Sequence, residues 1–349
     1  MARQFLLDVT KRVRQEHASG LNRVSQCLER SLSQLLGDRL VPVRWNPFRL
    51  RYQPVQSFQE LERNRESVFL TPETFALRER KGCRRWMELF PGRTAVIGHD
   101  AIPFRHPEIT WPHSVRRFPH WLHDLTQYDE VFSVSHATSV QLRAAGEDLG
   151  IELPPFKVLT LGGDYTLQNP LPREPAEPPI LLMVGILEPR KGQTLFLQAV
   201  ERLWEEGWVF EVILMGRANP HFGRPILERL RRLQSLGYPV RHETGADDTQ
   251  LAEWHAKAHA LVLPSLAEGC GLPVWEALWA GCPVIASGVP SAEYLGATGG
   301  LHIIEAIDGE TLVDALRESL KKPAEVGDGS RVPRWDATAR SLLEQLAFS

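Results

Sequence analysis

One stretch constrains this chain more than any other: Leu261 to Ser287, reading LVLPSLAEGCGLPVWEALWAGCPVIAS. Ala258 to Leu263 reads as a short buried strand closed by Pro264 and Ser265. A tight turn follows, with Glu268 at its tip and Gly269, Cys270 and Gly271 keeping large side chains away. Pro273 suits the first turn of a helix, Val274 to Ala280 continue it, Gly281 stops it, and Pro283 to Ser287 form the next strand. Such a unit leaves backbone N–H groups and the positive end of a helix dipole in the space beyond the strand, which is an anion site. Two carboxylates, Glu268 and Glu276, border it with seven residues between them. Beside a phosphate they would be repulsive without other partners, and sugar hydroxyls supply them. Glu268 can accept from a hexose, and Glu276, one helical turn in, can reach a ribose. The plainer alternative is an ordinary strand–loop–helix–strand unit with surface glutamates.

At 349 residues the chain exceeds one ordinary core, so two domains are expected. Apolar content of 43% and charged content of 24% are those of a globular protein. The longest apolar run, Ile180 to Leu187, falls far short of the ~20 residues of a membrane span. The opening MARQFLLDVTKRVRQ has only a short apolar patch and no small-residue cleavage site, so no signal peptide is expected. Cys27, Cys83, Cys270 and Cys282 lack metal-ligand spacing and read as reduced thiols of a cytoplasmic protein. No D-x-D metal signature is present. Residues 1–165 carry 23 Lys+Arg against 19 Asp+Glu, and the remainder 17 against 24. The mildly basic first half can sit against anionic head groups at a membrane surface or take a lipid-linked pyrophosphate; unpatterned surface charge is the alternative. No basic stripe with interleaved aromatics points to nucleic acid.

Along the chain, Gln4 to Thr10 reads as a strand with Asp8 near its end. A loop with Ser19 and Gly20 leads from it into an amphipathic helix carrying Leu21, Val24, Cys27, Leu28, Leu32 and Leu35. Gly20 leaves amides free as a second potential phosphate contact, or is a plain turn glycine. Leu40 to Trp45 is a second strand, whereas residues 46–93 show no clear period. Thr94 to His99 is a buried strand that puts His99 on the rim where parallel sheets bind ligands. A lone histidine there is more often structural. A helix between Pro112 and Tyr128, a strand at Val131 to Ser135, a helix at His136 to Ala145 capped by Ser135, and a strand at Phe156 to Leu161 complete a parallel, Rossmann-like domain, 1–161. The proline-rich 162–179 reads as a linker. A second domain, 180–334, opens with the strand Ile180 to Leu187. Arg190 and Lys191 follow it on a loop, where they can supply positive charge to a diphosphate. Phe210 to Met215 and Leu301 to Glu305 are further strands, and Asp248 is a candidate cap for a helix at Thr249 to Lys257. Trp335, Ala339, Leu342, Leu343 and Leu346 mark a last helix, which packs on its own domain or crosses back to the first.

Three phrases carry a family resemblance. EGCGLPVWEALWAGCPVIAS resembles the E-x7-E region of the retaining GT-B glycosyltransferases of family four, whose members include bacterial mannosyl- and rhamnosyltransferases and usually have Phe where this chain has Cys270. GHDAIPFRHPE is similar to their HD-x-x-P-x-x-x-P-E segment, and VGILEPRK to their phosphate loop. The resemblance implies an α/β GT-B architecture of two Rossmann-like domains facing a central cleft, and transfer of a hexose or deoxyhexose from a nucleotide sugar. The acceptor would be a saccharide or lipid-linked saccharide in polysaccharide biosynthesis at the cytoplasmic face of the inner membrane. It implies roles for His99 at the reacting carbon with Asp100 orienting it, for Glu268 at a sugar hydroxyl, and for Glu276 at the ribose. Gly20, Arg190, Lys191, Gly269, Cys270, Gly271 and Leu272 would border the diphosphate. It further implies retention of configuration, with no metal and no cofactor beyond the nucleotide-sugar substrate. Many relatives have a further basic residue where this chain has Ile186, which leaves the phosphate charge to Arg190 and Lys191. The EPRK wording is similar to members using GDP-sugars, with UDP- and dTDP-sugars open. A sugar-nucleotide epimerase of the same fold, or a non-catalytic binding subunit, would share these motifs.

Overall fold

The computed structural model describes residues 3–14, 19–56, 61, 64–166, 169–288, 295, 298–305, 307–322 and 325–348. The chain divides into two compact units, Met1–Gly162 with Arg334–Ser349, and Gly163–Pro333.

Unit 1 contains, in chain order, β1 (Phe5–Asp8), α1 (Thr10–Arg14), α2 (Gly20–Leu36), β2 (Leu40–Asn46), β3 (Arg51–Pro54), β4 (Val68–Thr71), α3 (Cys83–Glu88), β5 (Arg93–Gly98), α4 (Ile102–Arg105), α5 (Pro112–Asp124), β6 (Glu130–Ser133), α6 (His136–Asp148) and β7 (Phe156–Val158). The sheet order is β3-β2-β1-β4-β5-β6-β7, parallel throughout except for the β2–β3 pair. Phe5 to Asp8 pair with Leu40 to Val43 on one side, and Phe5 to Leu7 with Val68 to Leu70 on the other. A strand so enclosed is apolar on both faces, and every residue of β1 and β4 is buried. On one face Val43, Tyr52, Phe69, Trp86, Phe118 and Trp121 form a common core.

Unit 2 contains β8 (Ile180–Val184), α7 (Gln193–Glu205), β9 (Glu211–Met215), α8 (Gly223–Ser235), β10 (Val240–Glu243), α9 (Asp248–Lys257), β11 (Ala260–Leu263), α10 (Leu272–Trp279), β12 (Val284–Ser287), β13 (Leu301–Ile304) and α11 (Gly309–Leu320). Its sheet is all parallel in the order β10-β9-β8-β11-β12-β13. Strand order reverses beside β8, so the ends of β8 and β11 flank the position where open α/β sheets bind ligands. The last helix, α12 (Trp335–Gln345), packs on α2 in unit 1. There Thr338 Oγ1 donates to the Thr160 carbonyl at 2.8 Å, and Phe348 meets Phe5 edge-on at 5.4 Å.

Three expectations need revision. The stretch after β1 is not simply a loop: α1 forms because carboxylates from elsewhere cap it. Asp8 Oδ1 accepts the Thr10 N–H at 3.1 Å, and Glu73 Oε1 accepts those of Lys11 and Arg12 at 2.5 and 3.2 Å. Residues 15–18 of that expected loop lie outside the described residues. The cap of α9 is Asp247 rather than Asp248. Its Oδ1 accepts the Gln250 N–H at 2.9 Å, while Gln250 reaches back to the Asp247 N–H at 3.1 Å, a reciprocal capping box. The proline-rich stretch expected as a linker is fastened to unit 2 where described. The N–H groups of Glu174 and Ala176 donate to the carbonyls of Ala256 and Lys257, and the Tyr165 hydroxyl lies 2.9 Å from His255 Nδ1.

Candidate functional site

In unit 2 the chain leaves β8, makes one turn of 3-10 helix at Pro189–Lys191, and passes Gly192 into α7. Gly192 has φ of 76°, and a Cβ there would lie 2.1 Å from the Pro264 carbonyl oxygen. Only glycine lets this loop press against the end of β11. The Leu266 N–H then donates to the Arg190 carbonyl at 2.7 Å, and the loops after β8 and β11 become one piece.

Four charged side chains converge on this joint. Lys191 Nζ is 2.5 Å from Glu268 Oε1, and Arg190 Nη1 is 3.4 Å from Glu268 Oε2. Arg190 Nε also donates to Glu188 Oε1 at 2.6 Å, and Asn219 Nδ2 to Glu188 Oε2 at 3.0 Å. The Ser265 hydroxyl donates to Glu268 Oε1 at 2.6 Å and is in turn neighbour to Ser287, whose hydroxyl donates to the Ser265 carbonyl at 2.6 Å. Lys191 and Glu268 side chains are each less than a tenth exposed. Burial works against both charges and lowers Lys191. It also pushes the Glu268 carboxyl upward, but Lys191, Arg190 and Ser265 outweigh it and hold that group below the usual carboxylate range. Glu268 is therefore an ionised acceptor whose partners here are two cations and the Ser265 hydroxyl, whereas the sequence suggested a sugar hydroxyl.

The turn continues through Gly269 and Cys270 to Gly271, whose φ of 77° sets the start of α10 at Leu272. Burial pushes the Cys270 thiol up to about 12, which makes it a filler of space and no nucleophile. Glu276 sits on the next turn of α10 and is itself buried. Arg190, Lys191, Glu268 and the Gly269–Leu272 turn are thus brought together, with Glu276 on the adjoining helix. Glu188, Ser265 and Asn219 were missed by sequence reasoning. Only Glu188, next to Pro189 and Arg190 in the loop motif, carried any local signal.

His99 and Gly20 belong to unit 1. His99 follows the last residue of β5, and its Nε2 donates to the Pro72 carbonyl at 2.7 Å, so the neutral ring keeps its lone pair on Nδ1. Burial lowers its pKa against the opposing effects of Pro72 and Asp100, and the ring is neutral near pH 7. Asp100 Oδ1 accepts the Ile102 N–H at 3.0 Å and opens α4. His99 and Asp100 line a pocket of about 20 Å³ with Thr74, Ser114, Arg117 and Trp121, room for about one water molecule. Gly20 is the first residue of α2, capped by the Ser19 hydroxyl accepting the Asn22 N–H at 3.2 Å; a Cβ on Gly20 would meet nothing within 4 Å. Among the described residues no group of three or more His, Cys, Asp or Glu is placed to hold a metal ion. None of their helices is long and apolar enough to cross a membrane.

Residues 178–322, which include the whole charged joint, match the family described as Glycosyl transferases group 1. Over that segment the chain is similar to the group 1, GT4-type glycosyltransferases. It is 31% identical over 210 residues to the serotype-specific mannosyltransferase WbdA of Escherichia coli, covering 56% of this chain and 26% of that protein. It is 27% identical over 265 residues to a D-inositol 3-phosphate glycosyltransferase of Xylanimonas cellulosilytica, covering 63% of this chain and 58% of that one. The chain thus spans about a quarter of the length of the first relative and somewhat over half of the second. Its fold is GT-B. It is similar to sucrose-phosphate synthase from Thermosynechococcus elongatus, with a TM-score of 0.73 at 17% identity over 99% of this chain and 98% of that one. It is also similar to WaaG, a glycosyltransferase involved in lipopolysaccharide biosynthesis, at a TM-score of 0.60 and 15% identity over 99% and 96% of the two chains.

Proposed function

We propose that this chain is a glycosyltransferase that moves a hexose or deoxyhexose from a nucleotide-diphosphate sugar, a GDP-sugar by preference, to a saccharide or lipid-linked saccharide in polysaccharide biosynthesis. The observation that carries this reading is the joint at the ends of β8 and β11, where Arg190, Lys191 and the N-terminus of α10 adjoin two glutamates. Cations beside a helix N-terminus favour a diphosphate, and most strongly when its charge grows as the sugar–phosphate bond breaks. A diphosphate that takes over Lys191 and Arg190 would free Glu268 for the sugar's hydroxyls. Glu276 would hold the ribose, and His99 of unit 1 would contact the reacting carbon through its neutral ring. In this reading the transfer retains configuration and needs no metal, because the protein's own cations neutralise the departing diphosphate. The relatives' names, a mannosyltransferase and an inositol phosphate glycosyltransferase, support the reaction class.

The test is an assay with GDP-, UDP- and dTDP-sugars and oligosaccharide acceptors, with EDTA present, followed by mass spectrometry and by NMR of the new linkage. Transfer with the donor's anomeric configuration is expected. His99→Ala should lower turnover by about two to three decades, the usual effect of removing one group that stabilises transition-state charge, while nucleotide binding stays unchanged. An epimerised sugar nucleotide with no acceptor product would replace this reading by the epimerase one.

A further inference from the structure

A cluster of buried charges in unit 1 surrounds one tripeptide, Pro72-Glu73-Thr74, which follows β4. Each of its residues is tied to a neighbouring element. The Pro72 carbonyl accepts from His99 Nε2 at 2.7 Å. The Glu73 carboxylate, in a residue only 5% exposed, accepts the backbone N–H groups of Lys11 and Arg12 on Oε1 and the Arg80 guanidinium on Oε2 at 2.6 Å. The Thr74 carbonyl accepts from the Lys11 ammonium, and Thr74 lines the pocket that His99 lines. Arg80 is itself held. It donates to Asp8 Oδ2 at 2.5 Å and the Tyr52 hydroxyl at 2.6 Å, and its guanidinium lies 3.5 Å from the centre of the Phe75 ring. Asp8 completes the frame by accepting from Thr71, the last residue of β4, at 3.0 Å.

We propose that Glu73 is a positioning residue for His99: by clamping the tripeptide onto α1 and Arg80, it fixes the carbonyl against which the imidazole is set. The inference rests on the reading of His99 given above only for its effect on turnover. Its structural content stands on these contacts. A carboxylate accepting three donors cannot be exchanged for a neutral amide without turning one donor away, because an amide offers a single oxygen. The groups facing Glu73 are Asp8 from β1, Lys11 from α1 and Arg80 beyond the turn at Leu77–Glu79. Tyr52 and Cys83 stand behind Arg80, and Arg117 and Glu79 beside Lys11, while the Arg12 side chain turns to Glu29. Burial, with Asp8, pushes Glu73 up to about 7 against the pull of Arg80. Burial, with Arg117, lowers Lys11 to about 8. The clamp is complete above pH 7, and below it Glu73 takes a proton and loses one acceptor position.

The experiment uses the whole chain with 15N-labelled histidine, in the wild type, Glu73→Gln and Glu73→Asp, with His99→Gln to identify the His99 signals. Ring NMR across pH 5.5–8.5 is expected to show in Glu73→Gln a changed tautomer balance and a shifted His99 titration, partly restored in Glu73→Asp. In transfer assays kcat of Glu73→Gln should fall at least tenfold, with KM for the donor within twofold of wild type. The acid limb of the wild-type kcat profile near pH 7 should be absent, which leaves only the lower limb belonging to His99. Unmoved His99 signals in Glu73→Gln would overturn the proposal, whether or not kcat falls. A wild type inactive with every sugar nucleotide would count against the proposed function, and the NMR arm would still decide this inference. If Glu73→Gln does not fold, Glu73→Asp is compared with the wild type: a smaller shift of the His99 signals is expected, because the shorter carboxylate cannot reach all three donors, and unmoved signals there would overturn the proposal.

Discussion

Glu268→Ala is expected to bind GDP more tightly than the wild type while losing two to three decades of transfer activity. In the structure Glu268 neutralises Lys191 at 2.5 Å and Arg190 at 3.4 Å, so a diphosphate arriving at this joint competes with a carboxylate already in place. Removing the carboxylate removes the competitor. It also leaves Lys191 buried without its counter-charge, and breaking one partner of a buried pair costs about 3–5 kcal/mol. A bound diphosphate supplies the missing charge, so the thermal stabilisation by GDP should be larger in the variant than in the wild type. Turnover falls because the acceptor that would meet the sugar's hydroxyls is gone, a loss on the scale of removing one transition-state contact, about 3–4 kcal/mol. The competition persists across neutral pH. Glu268 titrates below the usual 4.5, so the pair's contribution is fully present above that value and is lost only as the pH falls through the lowered one. Calorimetric titration with GDP at pH 7, beside the transfer assay, measures both halves; weaker GDP binding by the variant would mean that Glu268 does not compete with phosphate.

Arg80→Met should destabilise unit 1 by about 3–5 kcal/mol, the cost of leaving buried carboxylates without their cation. Arg80 bridges Asp8 and Glu73, at 2.5 and 2.6 Å, and its side chain is 7% exposed. The loss should depend on pH with a definite sign. Glu73 is already raised from 4.5 to about 7 in the folded chain. The folded state therefore holds a proton in that window that the unfolded state has released, and its stability falls as the pH rises from about 4.5 to 7. Without Arg80 the pull on Asp8 and Glu73 is removed and the window extends upward. The deficit should be largest near pH 8 and shrink toward pH 5. Hydrogen exchange of β1 and β4 peptides at the two pH values measures this within unit 1. A uniform loss below about 0.5 kcal/mol would show Arg80 to be no more than a surface charge.

The elements readable from residues alone are those where the local pattern and the final environment agree. Strands β5, β8, β11 and β12 are apolar runs punctuated by Gly or Pro, and the structure encloses them between neighbours. Strand β4 escaped notice for a physical reason: four residues, VFLT, are too few to show a period, and burial on both faces removes any alternation. Helix α1 was invisible because its caps, Asp8 and Glu73, include a side chain 62 residues away. The candidate site divides in the same way. Arg190, Lys191, Glu268 and His99 stand in local motifs, and their neighbourhoods could be named. That Glu268 faces cations is a tertiary fact spanning 77 residues. Glu73 and Arg80 lie in a stretch crowded with Arg and Glu, where a charge destined for burial looks like any solvated one.

The joined loops at the ends of β8 and β11 are proposed to hold a nucleoside diphosphate. Hydrogen exchange of the whole chain, with and without millimolar GDP, tests this most directly. Slower exchange is expected in the segments spanning Gly185–Lys191 and Glu268–Glu276, with loss of that protection in Lys191→Ala. Unchanged exchange in both segments, or protection confined to other parts of the chain, would contradict it.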